Sequence, residues 1–258
     1  MSFKVKPLKK LGQYFLTDRV AVNKVVKSAE ISDKDTVLEI GPGTGILTAE
    51  ICKRARKVIA VEKDSRMVDF LKKELGDFKN LRIYKEDILS FSLKGFKQYK
   101  VVANLPFYLT NPVIRKFLES SNPPQDMTLV IQKELAQRIC AKAPKMNLLA
   151  VSVQFYARVK IMSFIKKTSF SPKPKIDTAI IKIISHGERK NLDFNKKFFK
   201  IVKAGFSQPR KQLANNLSKE LKLRKEEVLS LLLRNNIQPN KRPENLEIKE
   251  WVNLARNL

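Results

Sequence analysis

Asn104-Leu105-Pro106-Phe107 follows an apolar run, Tyr99 to Ala103, and brings together groups that suit one kind of chemistry. The Asn104 side-chain oxygen and the Leu105 carbonyl are both acceptors, able to bind the hydrogens of an exocyclic amine. The amine of adenine is a poor nucleophile because its lone pair is delocalised into the ring. Acceptors on both hydrogens favour a pyramidal nitrogen whose lone pair points at an electrophile, so no strong base is needed. Pro106 stiffens the turn, and Phe107 offers a face on which a flipped-out base stacks. Asn104, Leu105, Pro106 and Phe107 are therefore the candidate catalytic residues.

A donor for such an amine is suggested by Glu39-Ile40-Gly41-Pro42-Gly43-Thr44-Gly45, which stands between a strand-like and a helix-like segment. Glycines there let the backbone approach a ligand across the carboxyl end of a sheet. The dinucleotide fingerprint needs a small residue where this chain has Ile46, and no Gly-Lys-Ser/Thr follows for a triphosphate loop. The spacing of Gly41, Gly43 and Gly45 suits S-adenosylmethionine, whose ribose diol needs a carboxylate at the end of the second strand. Glu62, 21 residues after Gly41, stands there. Asp87 is placed to accept from the adenine amine of the cofactor, with Ile88 against its ring.

These residues need a scaffold, and residues 36 to 132 supply one as alternating strand and helix. Thr36 to Ile40, Val58 to Val61, Leu81 to Tyr84, Tyr99 to Ala103 and Met127 to Ile131 read as strands. Ile46 to Ala55 and Ser65 to Leu75 read as helices, Ser65 as an N-cap; Thr110-Asn111-Pro112 opens another over Val113 to Leu118. The alternation predicts an α/β fold, a parallel Rossmann-like sheet with helices on both faces. Lys160 to Ile165 and Thr178 to Ile184 form an expected closing strand pair, joined by Phe170 to Pro174. Past His186-Gly187-Glu188 only helical spacing remains, in Phe194 to Phe206, Lys211 to Ser218, Glu226 to Arg234 and Glu247 to Ala255. The expected division is residues 1–186, a cofactor-binding catalytic domain, and 187–258, a helical RNA-binding domain.

Composition narrows the partner. The 258 residues carry 52 Lys and Arg against 25 Asp and Glu, a formal charge of +27, yet 43% are hydrophobic, so the chain folds and needs a polyanion beside it. From Leu135 to Ile176 there is no acidic residue, while Arg138, Lys142, Lys145, Arg158, Lys160, Lys166, Lys167, Lys173 and Lys175 all fall there. Contacts to phosphate need many cations over a wide surface, which favours nucleic acid. Two cysteines, Cys52 and Cys140, and one histidine, His186, exclude a zinc finger and argue against disulfides; no metal is expected. With no apolar stretch near the roughly 18 residues of a membrane span, a cytosolic protein is expected.

The motifs in order resemble the ribosomal RNA adenine N6,N6-dimethyltransferase family, most of all its bacterial small-subunit (16S) members. The resemblance runs nearly end to end: Leu11-Gly12-Gln13-Tyr14-Phe15-Leu16, the glycine loop, Val61-Glu62, Glu86-Asp87-Ile88, Asn104 to Phe107, Gln132-Lys133-Glu134, Phe170 to Asp177, and Phe206 to Leu217 with Arg210-Lys211. It implies an N-terminal segment closing over S-adenosylmethionine with Tyr14 and Leu16 touching it, and Gly41, Glu62, Asp87 and Asn104 binding it. It also implies that two adjacent adenosines near the rRNA 3′ end each receive two methyl groups, and that a monomer acts on rRNA within a pre-assembled small subunit. Arg138, Lys142, Lys145, Lys166, Lys167, Lys173, Arg210 and Lys211 are the candidate RNA contacts. Two positions depart from the family: Tyr14 stands where Asn or His is usual, and Phe107 where the small-subunit enzymes carry Tyr. Phe at that second position is common in the 23S rRNA methyltransferases of macrolide resistance, one alternative; a non-catalytic rRNA-binding assembly factor is the other. The longer C-terminal part and Ser171-Pro172-Lys173-Pro174 favour the small-subunit reading.

Overall fold

The computed structural model describes Pro7, Leu8, residues 12–187 and residues 191–258. Leu11, which opens the first motif, and Glu188, at the expected domain junction, lie outside the described residues.

The first elements are β1 (Phe15–Leu16), α1 (Arg19–Ala29), β2 (Thr36–Ile40), α2 (Ile46–Cys52), β3 (Lys57–Glu62), α3 (Ser65–Glu74), β4 (Leu81–Lys85) and β5 (Tyr99–Asn104). They are followed by α4 (Thr110–Leu118), β6 (Asp126–Gln132), α5 (Lys133–Ile139), α6 (Leu148–Gln154), β7 (Ala157–Ile165), β8 (Phe170–Ser171) and β9 (Thr178–Ser185). One sheet runs β4-β3-β2-β5-β6-β9-β7. Its first five strands are parallel, and β9 and β7 extend it antiparallel, with a bulge between Ile161 and Ser163. The predicted parallel sheet is thus a mixed one. Its central strands are covered on both faces, with Val37, Leu38, Val101, Val102, Leu129 and Ile131 fully buried, which is why they read as continuous apolar runs rather than alternating ones.

Local chemistry moves several predicted boundaries. Asp64, not Ser65, caps α3: its Oδ1 accepts the Arg66 N–H at 3.1 Å, one residue earlier than expected. Helix α2 stops at Cys52 because Asn80 Nδ2 donates to the carbonyls of Cys52 and Ala55 at 2.8 and 2.9 Å, satisfying the end of the turn without more helix. Thr110 is the first residue of α4 rather than its cap, because a 3₁₀ turn, Phe107–Leu109, feeds the helix from the tetrapeptide. Pro112 sits in that first turn, where a missing N–H costs nothing. Helix α1 has a signal the motif reading passes over: Asp18 caps it, and Ala21, Val22, Val25, Val26 and Ala29 form one buried stripe.

The chain splits into two compact units, Met1–Ala136 with Ala157–Gly187, and Gln137–Tyr156 with Glu188–Leu258. The second contains α6, α7 (Leu192–Gly205), α8 (Leu213–Leu221), α9 (Lys225–Arg234) and α10 (Ile248–Asn257). Gln137–Tyr156, placed in the first domain by sequence, packs with this helical unit because Met146, Ala150, Val151 and Phe155 belong to its core. There Phe155 stacks on Phe198 with ring centroids 3.9 Å apart, and Phe206 on Trp251 at 5.5 Å, so Trp251 is a core residue. Cys52 is buried and Cys140 half-buried; both are free thiols, pushed up by burial to about 12 and about 11, which makes them inert as nucleophiles. Among the described residues no cluster of His, Cys, Asp or Glu is arranged to hold a metal, and no helix is long and apolar enough to cross a membrane.

Candidate active site

The order of the strands reverses between β2 and β5, and the loops leaving β2, β3 and β5 open there around a cavity of about 270 Å³. This is where open α/β sheets place their ligands. Gly41, Gly43, Glu62, Asp87, Ile88, Asn104, Leu105, Pro106, Phe107 and Tyr14 all line it, so residues spread over most of the first unit converge as expected. Leu16 and Gly45 do not. Leu16 is buried in the core, paired with Phe170, while Gly45 caps α2 with Leu71 and Leu75 pressed against it.

Glu62 is 8% exposed, and both of its oxygens are already aimed: Oε1 accepts the Asp64 N–H at 2.9 Å and Oε2 the Gly43 N–H at 3.4 Å. Burial nevertheless raises its pKa above the ordinary carboxyl value, those backbone donors opposing the rise. Asp87 differs from the free acceptor expected. Its Oδ2 takes Lys63 Nζ at 2.8 Å and its Oδ1 the Leu89 N–H at 2.9 Å, and the Lys63 hydrogen bond holds the carboxyl below its usual range. Each oxygen still has a lone pair for a ligand.

At Asn104 the amide nitrogen Nδ2 donates to the Tyr14 carbonyl at 2.9 Å. That bond fixes the amide's orientation and leaves Oδ1, the atom the chemistry requires, as the acceptor. The Tyr14 ring stacks on Phe107, centroids 5.6 Å apart and planes 28° from parallel. Tyr14 itself is anchored through its neighbours in the chain: Phe15 and Leu16 pair with Ser171 and Phe170, and Thr17 donates from N and Oγ1 to the Ser169 carbonyl at 2.9 and 3.1 Å. Gln13, before it, donates to Asp64 Oδ2 at 3.1 Å. Further along, Asp177 Oδ1 accepts the Lys167 N–H at 2.9 Å and the Asp177 carbonyl the Lys133 N–H at 3.1 Å. The separate motifs of the sequence are thus joined by hydrogen bonds.

Sequence reasoning missed Lys63, Tyr108, Phe170 and Pro174 as lining residues. Tyr108, 60% exposed, carried a signal as an aromatic directly after the tetrapeptide, and Phe170 and Pro174 stood within the motif Phe170 to Asp177; Lys63 carried none. The eight candidate RNA contacts divide between the units. Lys166, Lys167 and Lys173 belong to the first and Arg138, Lys142, Lys145, Arg210 and Lys211 to the second. All but the half-buried Lys167 are exposed, and none forms an ion pair among the described residues.

The residues fit S-adenosylmethionine. Gly41 lies at φ +64°, and a Cβ there would meet no atom within 4 Å, so its backbone is open to the cavity rather than crowded by protein. Glu62 beside it is a pre-aimed buried carboxylate of the kind a ribose diol needs.

Comparison with known proteins agrees. Residues 5–258 match the family model described as ribosomal RNA adenine dimethylase. "Ribosomal RNA small subunit methyltransferase A" of Dehalococcoides mccartyi is 40% identical over 98% of this chain and 89% of that protein, and its namesake from Alkaliphilus oremlandii 37% over 99% and 93%. Among solved structures, a dimethyladenosine transferase from Plasmodium falciparum superposes with a TM-score of 0.79 at 26% identity, covering 93% of this chain and 95% of that one. The 23S rRNA methyltransferase ErmE gives 0.80 at 23% over 95% and 99%, a likeness of fold. With a family model matched across nearly its whole length and relatives of 37–40% identity, the chain belongs to the ribosomal RNA adenine dimethylase family of S-adenosylmethionine-dependent methyltransferases.

Proposed function

We propose that this enzyme dimethylates N6 of two adjacent adenosines in the 3′-terminal hairpin of 16S rRNA, acting as a cytoplasmic monomer on a pre-assembled small subunit. The observation that carries the acceptor chemistry is the Asn104 amide, fixed through Nδ2 on the Tyr14 carbonyl so that Oδ1 serves as the acceptor at the cavity. The choice of the small subunit rests on the relatives of that name, 37–40% identical over nearly the full chain.

S-adenosylmethionine, when bound, supplies an electrophilic methyl group on a sulfonium. Glu62 would accept from its ribose, Asp87 and Ile88 would receive its adenine, and the open backbone at Gly41 would admit its chain. Asn104 Oδ1 and the Leu105 carbonyl bind the hydrogens of the target amine and turn its lone pair toward the methyl group, and Phe107 stacks on the target base. Each transfer exchanges one hydrogen of the amine, released to solvent as a proton, for the methyl group; after the first a single hydrogen remains, and the same acceptors hold the monomethyl product for the second.

Primer extension across both ribosomal RNAs, from cells lacking and regaining the gene, tests the reading, because a dimethylated adenine stops the polymerase. Gene-dependent stops at two neighbouring adenosines near the 16S 3′ end are expected. A gene-dependent stop in 23S rRNA instead assigns the enzyme to the resistance reaction, and no stop in either favours the assembly-factor alternative.

A further inference from the structure

Tyr14 touches both groups that would receive the acceptor adenine, and by two different parts of itself. Its carbonyl accepts from Asn104 Nδ2 at 2.9 Å, and its ring lies in an offset stack on Phe107 at 5.6 Å. We infer that Tyr14 is a positioning residue for the acceptor adenine: a brace that sets the Asn104 amide through its carbonyl and the plane of Phe107 through its ring. The inference rests on the reading that Asn104 and Phe107 receive an adenine, and it goes beyond the cofactor contact that the family resemblance implies for this position.

Geometry separates this role from others. Tyr14 sits immediately before two residues paired in the β1–β8 ladder and a threonine bonded twice to Ser169, so its backbone is a fixed point. A ring on a fixed backbone limits the tilt of the ring it stacks against. A centroid separation of 5.6 Å leaves no room for a base between Tyr14 and Phe107, since a base inserted between two rings needs roughly twice the 3.4–3.5 Å of one stack. The adenine therefore uses the other face of Phe107, and Tyr14 backs it. The carbonyl contact survives any substitution because it is main chain, so replacing the side chain removes the ring support alone.

The test compares wild type, Tyr14→Leu and Tyr14→Phe on small subunits that lack the modification, in single-turnover assays at saturating cofactor. S-adenosylmethionine affinity is measured separately by calorimetry, and circular dichroism confirms the fold. Tyr14→Leu is expected to slow methyl transfer about 10- to 100-fold, the cost of a misplaced acceptor, with cofactor affinity unchanged and a larger share of monomethyl product. Tyr14→Phe should restore most of the rate, because the stack needs only the ring. In the double variant with Phe107→Leu, the two losses should be less than multiplicative, since each removes the same stack. Weakened cofactor binding with a normal rate at saturation would make Tyr14 a cofactor contact and overturn the inference. So would an unchanged rate, or faster transfer in Tyr14→Leu, which would put the ring in the base's place. A wild-type enzyme that methylates no adenosine in either subunit would overturn the underlying reading instead.

Discussion

Asp18 and Ser169, 151 positions apart, are joined by one carboxylate: Oδ2 accepts the Ser169 hydroxyl at 2.9 Å while Oδ1 caps α1 through the Val20 N–H at 2.8 Å. The segment crossing the cavity mouth is thereby tied at its exit. The Ser169 hydrogen bond, followed by the backbone donors, holds the Asp18 carboxyl below its usual pKa. A lowered carboxylate adds stability above its unfolded pKa and loses it as pH falls through the folded one. Asp18→Ala should destabilise the protein by about 0.5–2 kcal/mol at neutral pH, mostly through the lost cap. In denaturant titrations the gap from wild type should close as the solution is acidified below about pH 4.

Glu39 has the opposite sign. It is 1% exposed, its Oε2 has no hydrogen-bond partner among the described residues, and burial pushes its pKa up to about 8. The folded state therefore keeps a proton that the unfolded chain gives up near pH 4, and stability declines as pH rises between those values, by at most about 1.4 kcal/mol per pH unit. Glu39→Gln removes this slope. Its advantage over wild type in unfolding free energy should widen from about pH 5 to about pH 8. A constant difference would show that Glu39 is ionised in the fold.

Glu62→Ala should weaken S-adenosylmethionine about 10- to 150-fold, equivalent to about 1.5–3 kcal/mol for a lost charged hydrogen bond. The melting temperature should also fall, because the Gly43 and Asp64 N–H groups lose their acceptor. Burial raises the Glu62 pKa, so in wild type cofactor affinity should decline on acidification with a midpoint above the ordinary carboxyl value. Isothermal titration across that pH range checks both.

Asn104→Asp exchanges the donor facing Tyr14 for a second oxygen, placing like partial charges 2.9 Å apart where a hydrogen bond stood. Single-turnover transfer should fall on the order of 100-fold, by far more than RNA affinity does. Phe107→Ala, losing one base stack, should cost about 5- to 150-fold, while Phe107→Tyr keeps the ring and most of the rate.

The basic residues make a prediction for each unit. Neutralising Lys166, Lys167 and Lys173 in the first, or Arg138, Lys142 and Lys145 in the second, should flatten the slope of log RNA affinity against log salt, by roughly 2–3 if all three contact phosphate. A triple variant that keeps the wild-type slope marks its stretch as solvated surface.

The parallel strands were legible because burial on both faces writes them as uninterrupted apolar runs, and the glycine loop because its spacing has few other uses. Glu62, Asp87 and Asn104 came with them, each standing at a strand end. What sequence hides is partnership. Nothing in Lys63 announces that it holds Asp87, and nothing in Tyr14 says that its carbonyl orients Asn104, since a backbone acceptor has no residue type. Asn80, which ends α2 by reaching back to Cys52 and Ala55, escaped for the same reason. The assignment of Gln137–Tyr156 failed on continuity: local pattern offers no sign that a segment packs with residues beginning some 30 positions later.

That discontinuity governs how the polypeptide is completed. The first unit leaves off at Ala136 and resumes at Ala157, and its sheet is unfinished until β9 has been made. Because β1 pairs with β8, the earliest strand waits for Phe170–Ser171, and the segment bearing Tyr14 settles only after more than half the chain has emerged. A truncation at residue 187 would strip Met146, Ala150, Val151 and Phe155 of the helices they pack against and leave an apolar surface within the shortened product. The two units are compact in space but interleaved along the chain, so no single cut separates them as intact halves.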